Sequence, residues 1–577
     1  MSEKCMRNCF RGMFLFVALF GAFGMNTSQG QQKKSPQPRI SENISQEREK
    51  IIRPGLVQIQ MERAPLESPK GMKFLKIERM PVNESLMNDL SRKLALAPKA
   101  SIADRRVLAD SNGVARLQSE PGKGHMHLMP HWEQVAQAKP QLVNRDEAFR
   151  LADNFIRQNE LIKKDVSAAT PQHLVTLSRA ELHQGQSPVV SDVGQTVIFQ
   201  RKIAERPVVG HGSQLMVDLG HRGEVVGFRR AWNALAETPL APELKTDAQV
   251  YEEVERQIRT RVSEGNSVKV AKLHLIYYGN DKEYVQPAYF YSIQIDAPGV
   301  KGKSFMTGIV AAARNTPEPI LSRATPTELP SNATRAMINR PQAEVAEDDP
   351  TVGRYVVRND SWDWVDDANE FKNGLNDGHS SGLPAISFGD YFWDQPWFWT
   401  TSEDSMVDRW NVTLMEGHGN TWLFSTRSNC CDLVNLNSGS QPGFGDLAGN
   451  SMRFLVLKGC AIIPAPPDRG DWATPWWRIF KGLHQAVGFR TEMYIDDDIS
   501  YGFAKNIASN HRVLDSWFAA TNGSSSYQWE RFWGSWGDQI YGYGAVVMIP
   551  GREGEGIYST AAAPPATSAG LTIWYQH

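Results

Sequence analysis

Long apolar runs are scarce in this chain of 577 residues. The one that stands out, Met13–Met25, has 13 residues and falls short of the roughly 20 that span a bilayer. Lys4, Arg7 and Arg11 precede it, so residues 1–25 read as a signal peptide. The remainder is expected to be secreted, periplasmic or at the cell surface, with no integral membrane association after signal removal; an uncleaved short anchor is the alternative. Cysteine is sparse. Two of the five, Cys5 and Cys9, fall in the signal segment, leaving Cys430, Cys431 and Cys460, too few for a disulfide scaffold. A bridge from Cys430 or Cys431 to Cys460 stays open, and it would abolish any catalytic thiol there. Net charge is only −2, so no basic field calls for nucleic acid. The chain also lacks a G-x-x-x-x-G-K-[ST] loop, a dinucleotide fingerprint after a strand and an H-E-x-x-H helix, which argues against nucleotide cofactors and zincin chemistry. No cofactor and no metal site is expected. A zinc site from His418, Cys460 and the vicinal cysteines would depart from the usual C-x₂₋₄-C spacing.

What is present is divided unevenly. A chain of this length is expected to split into two or three domains. From Thr351 onward there are 25 Asp and Glu against 15 Lys and Arg, a net of −10, which leaves +8 for the first 350 residues. Fifteen of the 17 tryptophans also lie beyond 350; only Trp132 and Trp232 precede it. Residues 315–350 carry six prolines, a composition that favours a linker. The expected organisation is therefore a signal at 1–25, a polar lead-in at 26–70, an α+β region at 71–314, the linker, and a second domain at 351–577.

In the first region, apolar spacing predicts a helix from Arg145 capped by Asn144 or Asp146. Strand-like runs follow at Thr196–Arg201, Arg206–Gly210, Gln214–Leu219 and Glu224–Trp232, the last two joined in a hairpin through Gly220 and Gly223. With Arg201–Gly210 reading R-x-I-x-x-x-P-V-x-G, residues 144–235 resemble PepSY and fungalysin-propeptide modules. That resemblance implies a helix on a small antiparallel sheet, and an inhibitory or chaperone-like role. Residues 246–307 repeat the helix-then-strand order.

The last 190 or so residues alternate short apolar runs with helical patterns, which predicts an α/β domain with a largely parallel sheet. One run, Val412–Glu416, ends at His418-Gly419; another, Phe454–Leu457, ends at Gly459-Cys460. A helix is expected from Trp476 to Ala486, a strand over 487–495, two helices broken at Asn510, and a closing strand at Ala545–Ile549. This order is similar to caspase-like (clan CD) cysteine peptidases, gingipain and CHAT types included. More closely, Gly417–Asn420, Lys458–Cys460 and Gly482–Thr491 resemble the G-H-G-N, K-G-C and G-L-H-x-x-x-G-F-R-T signatures of a family of exported bacterial domains. The resemblance implies Cys460 as nucleophile, His418 as its proton shuttle, and the amides of Gly419 and Cys460 as an oxyanion hole for a peptide or protein substrate. Glu416, two residues before His418 on the same strand face, either orients the imidazole or is a solvated rim carboxylate. Asp496, Asp497 and Asp498 read as a solvated loop or as a subsite for a basic residue. His484 is expected mid-helix, His379 exposed, and the aromatic run Tyr391–Trp399 mainly in the core. The rival to an exported cysteine peptidase is a non-catalytic, tryptophan-rich surface-binding protein. A glycoside hydrolase would need a carboxylate pair that the sequence does not single out.

Overall fold

In a computed structural model, the described residues are 57–577 apart from 103–104, 263, 297–302, 321–348, 357–362, 380–381, 392–393, 427–432, 448–450 and 537–540. The expected signal peptide, most of the linker, and Cys430 and Cys431 lie outside them. The described residues belong to one compact unit.

The fold is α/β, built on a large mixed sheet that is mostly antiparallel. In chain order, the elements that place the site are β1 (Ala115–Glu120), β2 (His125–Leu128), α1 (Arg145–Gln158), β3 (Ala168–Leu182), β4 (Val189–Ile203), β5 (Ser213–Leu219), β6 (Val225–Trp232) and β7 (Tyr284–Asp296). They continue with β8 (Ser304–Ala311), β9 (Thr351–Val356), α2 (Asp363–Gly378), β10 (Ser387–Tyr391), β11 (Val412–Glu416), β12 (Phe454–Lys458), β13 (Gln485–Phe489) and β14 (Tyr494–Ile495). The chain ends through α3 (Asp497–Ala508), α4 (Val513–Gly523), β15 (Gly544–Met548) and β16 (Leu571–Gln576).

Five strands run parallel in the order β10-β9-β11-β12-β13. β11, β12 and β13 are each five residues long and buried throughout, as a strand covered on both faces requires. A largely parallel sheet is the expectation for residues 351–577; these five strands are parallel, but the sheet they belong to is mixed and mostly antiparallel. β15 and β16 add antiparallel, and β16 pairs with β3, so the sheet runs on through β4, β5, β6, β2 and β1. Strands from both sides of the compositional boundary therefore share one hydrogen-bonded surface.

Local chemistry explains the element ends. Asn144 caps α1 by accepting from the Glu147 amide at 3.0 Å. The β5–β6 hairpin forms as the glycines suggested, with a tight turn at His221–Gly223. Asn510, at φ 66°, breaks the chain between α3 and α4. Gly374 and Gly378 lie against the Tyr501 and Lys505 carbonyls of α3, where a Cβ would collide, so α2 and α3 pack backbone to backbone. The helix expected over 476–486 stops after Ile479. Gly482 sits directly against Gly445 there, and Phe480 bridges to Phe444, so tertiary contact ends the helix early. His484 accordingly lies at the entrance to β13, buried and 2.5 Å from Glu555. His379 is half-buried, 3.0 Å from the Pro384 carbonyl. Phe398 and Trp399 are core residues, while Tyr391 and Trp397 are half-buried beside them.

Candidate active site

β11 and β12 are neighbours, with Glu416 opposite Lys458, so the loops at their carboxyl ends emerge side by side. Gly417 N–H donates to the Lys458 carbonyl at 3.1 Å. A Cβ on Gly459 would lie 2.8 Å from the Gly417 oxygen and 3.2 Å from the Gly419 nitrogen; one on Gly419 would lie 2.8 Å from the Cys460 oxygen. The His418 and Cys460 segments, 42 residues apart in sequence, thus pack in direct contact, with glycine where a side chain has no room. Ala461, the next residue, holds φ 50°, a left-handed conformation that L-residues avoid. Its amide donates to the Thr491 carbonyl at 2.9 Å and that of Ile463 to the Phe489 carbonyl at 3.1 Å, tying the cysteine loop to the end of β13.

Cys460 is a free thiol, 7% exposed. Its sulfur accepts from the Met493 amide at 3.4 Å and lies 3.7 Å from the Met493 carbonyl. Burial pushes its pKa well above the ordinary thiol value, and the nearby Glu492 carboxylate adds to the effect, so the group is held as a thiol. His418 is also buried. The Trp364 ring meets it edge-on at 5.8 Å, and Ser304 Oγ lies 3.4 Å from Nδ1 and 3.3 Å from Nε2. That serine begins β8, which pairs parallel with β14 through Phe305–Tyr494 and Met306–Ile495. Phe305 packs among Tyr494, Trp536 and Tyr541. A strand from before the linker therefore closes over the histidine. No sequence signal singled out Ser304, because its role depends wholly on this pairing.

Glu416 is 0% exposed and is no rim carboxylate. Lys458 ion-pairs with Asp367 of α2, donates to the Ser500 hydroxyl at 2.6 Å and lies 4.0 Å from Glu416. Burial and then the Asp367 charge raise the Glu416 pKa well above the carboxylate range. Lys458 stays charged because the carboxylates outweigh the burial that opposes them. This cluster under the site was legible only as the lysine of the K-G-C motif. The aspartate run is not a solvated loop. Asp496 caps α3, accepting from the Asp498 amide at 2.9 Å and from the Ser524 hydroxyl; Asp497 is buried; Asp498 lies 3.2 Å from His211.

The molecule is thus an α/β protein with a paired His-Gly and Gly-Cys loop at the carboxyl end of parallel strands. Residues 352–539 match a family described as Domain of unknown function (DUF6345). No curated protein matches. A solved structure, an uncharacterized protein from Eubacterium rectale, is 11% identical with a TM-score of 0.26, over 43% of this chain and 85% of that one. Among the described residues no helix is long and apolar enough to cross a membrane.

Proposed function

We propose that the protein is an exported cysteine hydrolase, a peptidase of caspase-like architecture, kept latent by its PepSY-like N-terminal region. The observation that carries this reading is the direct packing of the His418-Gly419 loop on the Gly459-Cys460 loop at the ends of adjacent parallel strands. In the open state His418 takes the Cys460 thiol proton, and the thiolate attacks the scissile carbonyl carbon. The resulting oxyanion is held by the Gly419 and Cys460 amides. The C–N bond breaks as His418 protonates the leaving amine, and water then hydrolyses the thioester. The closed state suits latency: the imidazole is under Ser304 and the thiol is protonated.

Trapping with a thiol-directed activity probe, mapped by mass spectrometry, tests the dyad on the full chain. After the inhibitory strand is opened, labelling at Cys460 is expected. It should vanish in Cys460→Ala and fall by about 10²-fold or more in His418→Ala. Peptide hydrolysis that persists in Cys460→Ala would sink the proposal. The buried thiol also favours a second reading, a non-catalytic binding protein in which Cys460 is a small core residue. On that reading no opening of the strand yields probe labelling above that of denatured protein.

A further inference from the structure

A cavity of about 390 Å³ lies between the N-terminal sheet and helices α3 and α4, away from the Cys460 loop. Its volume is at the small end of the range for ligand sites, and most of the residues lining it are polar or charged. Five cationic side chains line it, Lys123, Arg229, Arg230, Lys282 and Lys505, against three carboxylates, Glu120, Asp281 and Asp498. Each carboxylate is already engaged by protein. Glu120 holds Lys505 at 2.6 Å and Lys123 at 3.2 Å; Asp281 holds Arg79 at 2.5 Å and His125 at 2.9 Å; Asp498 faces His211 at 3.2 Å. Arg230 is spent on the Pro81 and Gly124 carbonyls, at 3.0 and 2.6 Å.

Arg229 is different. Its place on β6, opposite Met216 and His127, carries it into the cavity, where the guanidinium lies against the backbone of Gly523. A Cβ on that glycine would strike it. It makes no hydrogen bond among the described residues, and the charges that answer it, Asp498 and Glu120, act at a distance. Two further lining groups, Ser119 Oγ and Gln214 Oε1, are buried without a hydrogen-bond partner, on residues 1% and 2% exposed. Enclosed polar groups left unsatisfied are costly, and a desolvated guanidinium fork matches a carboxylate or phosphate in two-point geometry. We propose that this cavity is a binding site for a small molecule bearing a phosphate or carboxylate group, with Arg229 as the anion fork, the Ser119 hydroxyl as a second donor, and Gln214 Oε1 as the acceptor for a hydroxyl or amine elsewhere on the same molecule. The site is independent of the Cys460 chemistry and would bridge the two halves of the chain.

The test uses the full-length protein with inorganic phosphate and citrate as separate probes. Phenylglyoxal modification of arginines, mapped by mass spectrometry, should show saturable protection of Arg229 by at least one probe. Exposed Arg92 should not be protected, and sodium chloride at equal ionic strength should protect neither. Phosphate alone protecting assigns a phosphate group, citrate alone a carboxylate, and both a shared oxyanion site. In calorimetry Arg229→Met should weaken binding of the protecting anion at least about tenfold. The proposal is overturned if neither anion protects Arg229 beyond sodium chloride. It is equally overturned if Arg229→Met, folded by circular dichroism, binds as tightly as the native chain. Should that variant not fold, the protection experiment on the native chain decides.

Discussion

Position 459 is glycine for a steric reason. A Cβ there would meet Ile462 Cδ1 at 2.6 Å in addition to the Gly417 oxygen. Ile462 is fully buried and cannot retreat into solvent. Gly459→Ala is therefore expected to destabilise the protein by about 1–3 kcal/mol, read from the shift in its urea midpoint. An unchanged midpoint would mean that the two loops are looser than their contact implies. Ile462 and Ile463, both fully buried, anchor the Cys460 loop in the core. The sequence displayed His418 and Cys460 as the ends of two apolar runs, and the residues meet. It did not display Ser304, Glu492 or Asp367 as their surroundings, since each arrives from an element whose distance along the chain says nothing about its distance in space.

The element packed over His418 is β8. It is held on one side by eight antiparallel pairs with β7 and on the other by only two with β14, so the β14 seam is the weaker of its two edges. Phe305→Asp places a charge among Tyr494, Trp536 and Tyr541 and should release the strand. The expected outcome is that iodoacetamide alkylates Cys460 at least about tenfold faster than in the native chain, with far-ultraviolet circular dichroism unchanged. Equal rates would show that something other than β8 shields the thiol. Helix and hairpin positions in the N-terminal half follow periodicity and capping closely, as at Asn144 and at the β5–β6 turn. The 476–486 segment does not, because its helical pattern loses to the contact of Gly482 with Gly445. Intrinsic propensity is a weak prior wherever packing chooses otherwise.

Over the whole molecule, the two halves differ in composition and still share a sheet through the β3–β16 pairing. They are also joined by polar contacts, such as the Trp132 amide donating to Asp515 Oδ1 at 3.2 Å. Burial raises the Asp515 carboxyl to about 7, against the partial opposition of Arg512. Because the folded-state pKa lies above the unfolded one, the folded chain binds this proton more tightly. The associated stability is complete below about pH 4 and is lost as pH rises to about 7. Asp515→Asn keeps the acceptor and removes the titration. Its Tm relative to the native chain should therefore be higher at pH 8 than at pH 5. A pH-independent difference would show that Asp515 ionises normally.

The sequence by itself determined where apolar runs end, how charge and tryptophan divide, and which histidine and cysteine follow two of those runs. These are local properties, set by side-chain chemistry and chain stiffness. Only the tertiary structure decided that the parallel strands belong to a larger mixed sheet, that Glu416 sits in a buried charge cluster, that Asp496 is a helix cap, and that Ser304 covers His418. Those outcomes depend on pairings between segments tens to hundreds of residues apart, whose free energy comes from burial and ladder formation and not from the local sequence.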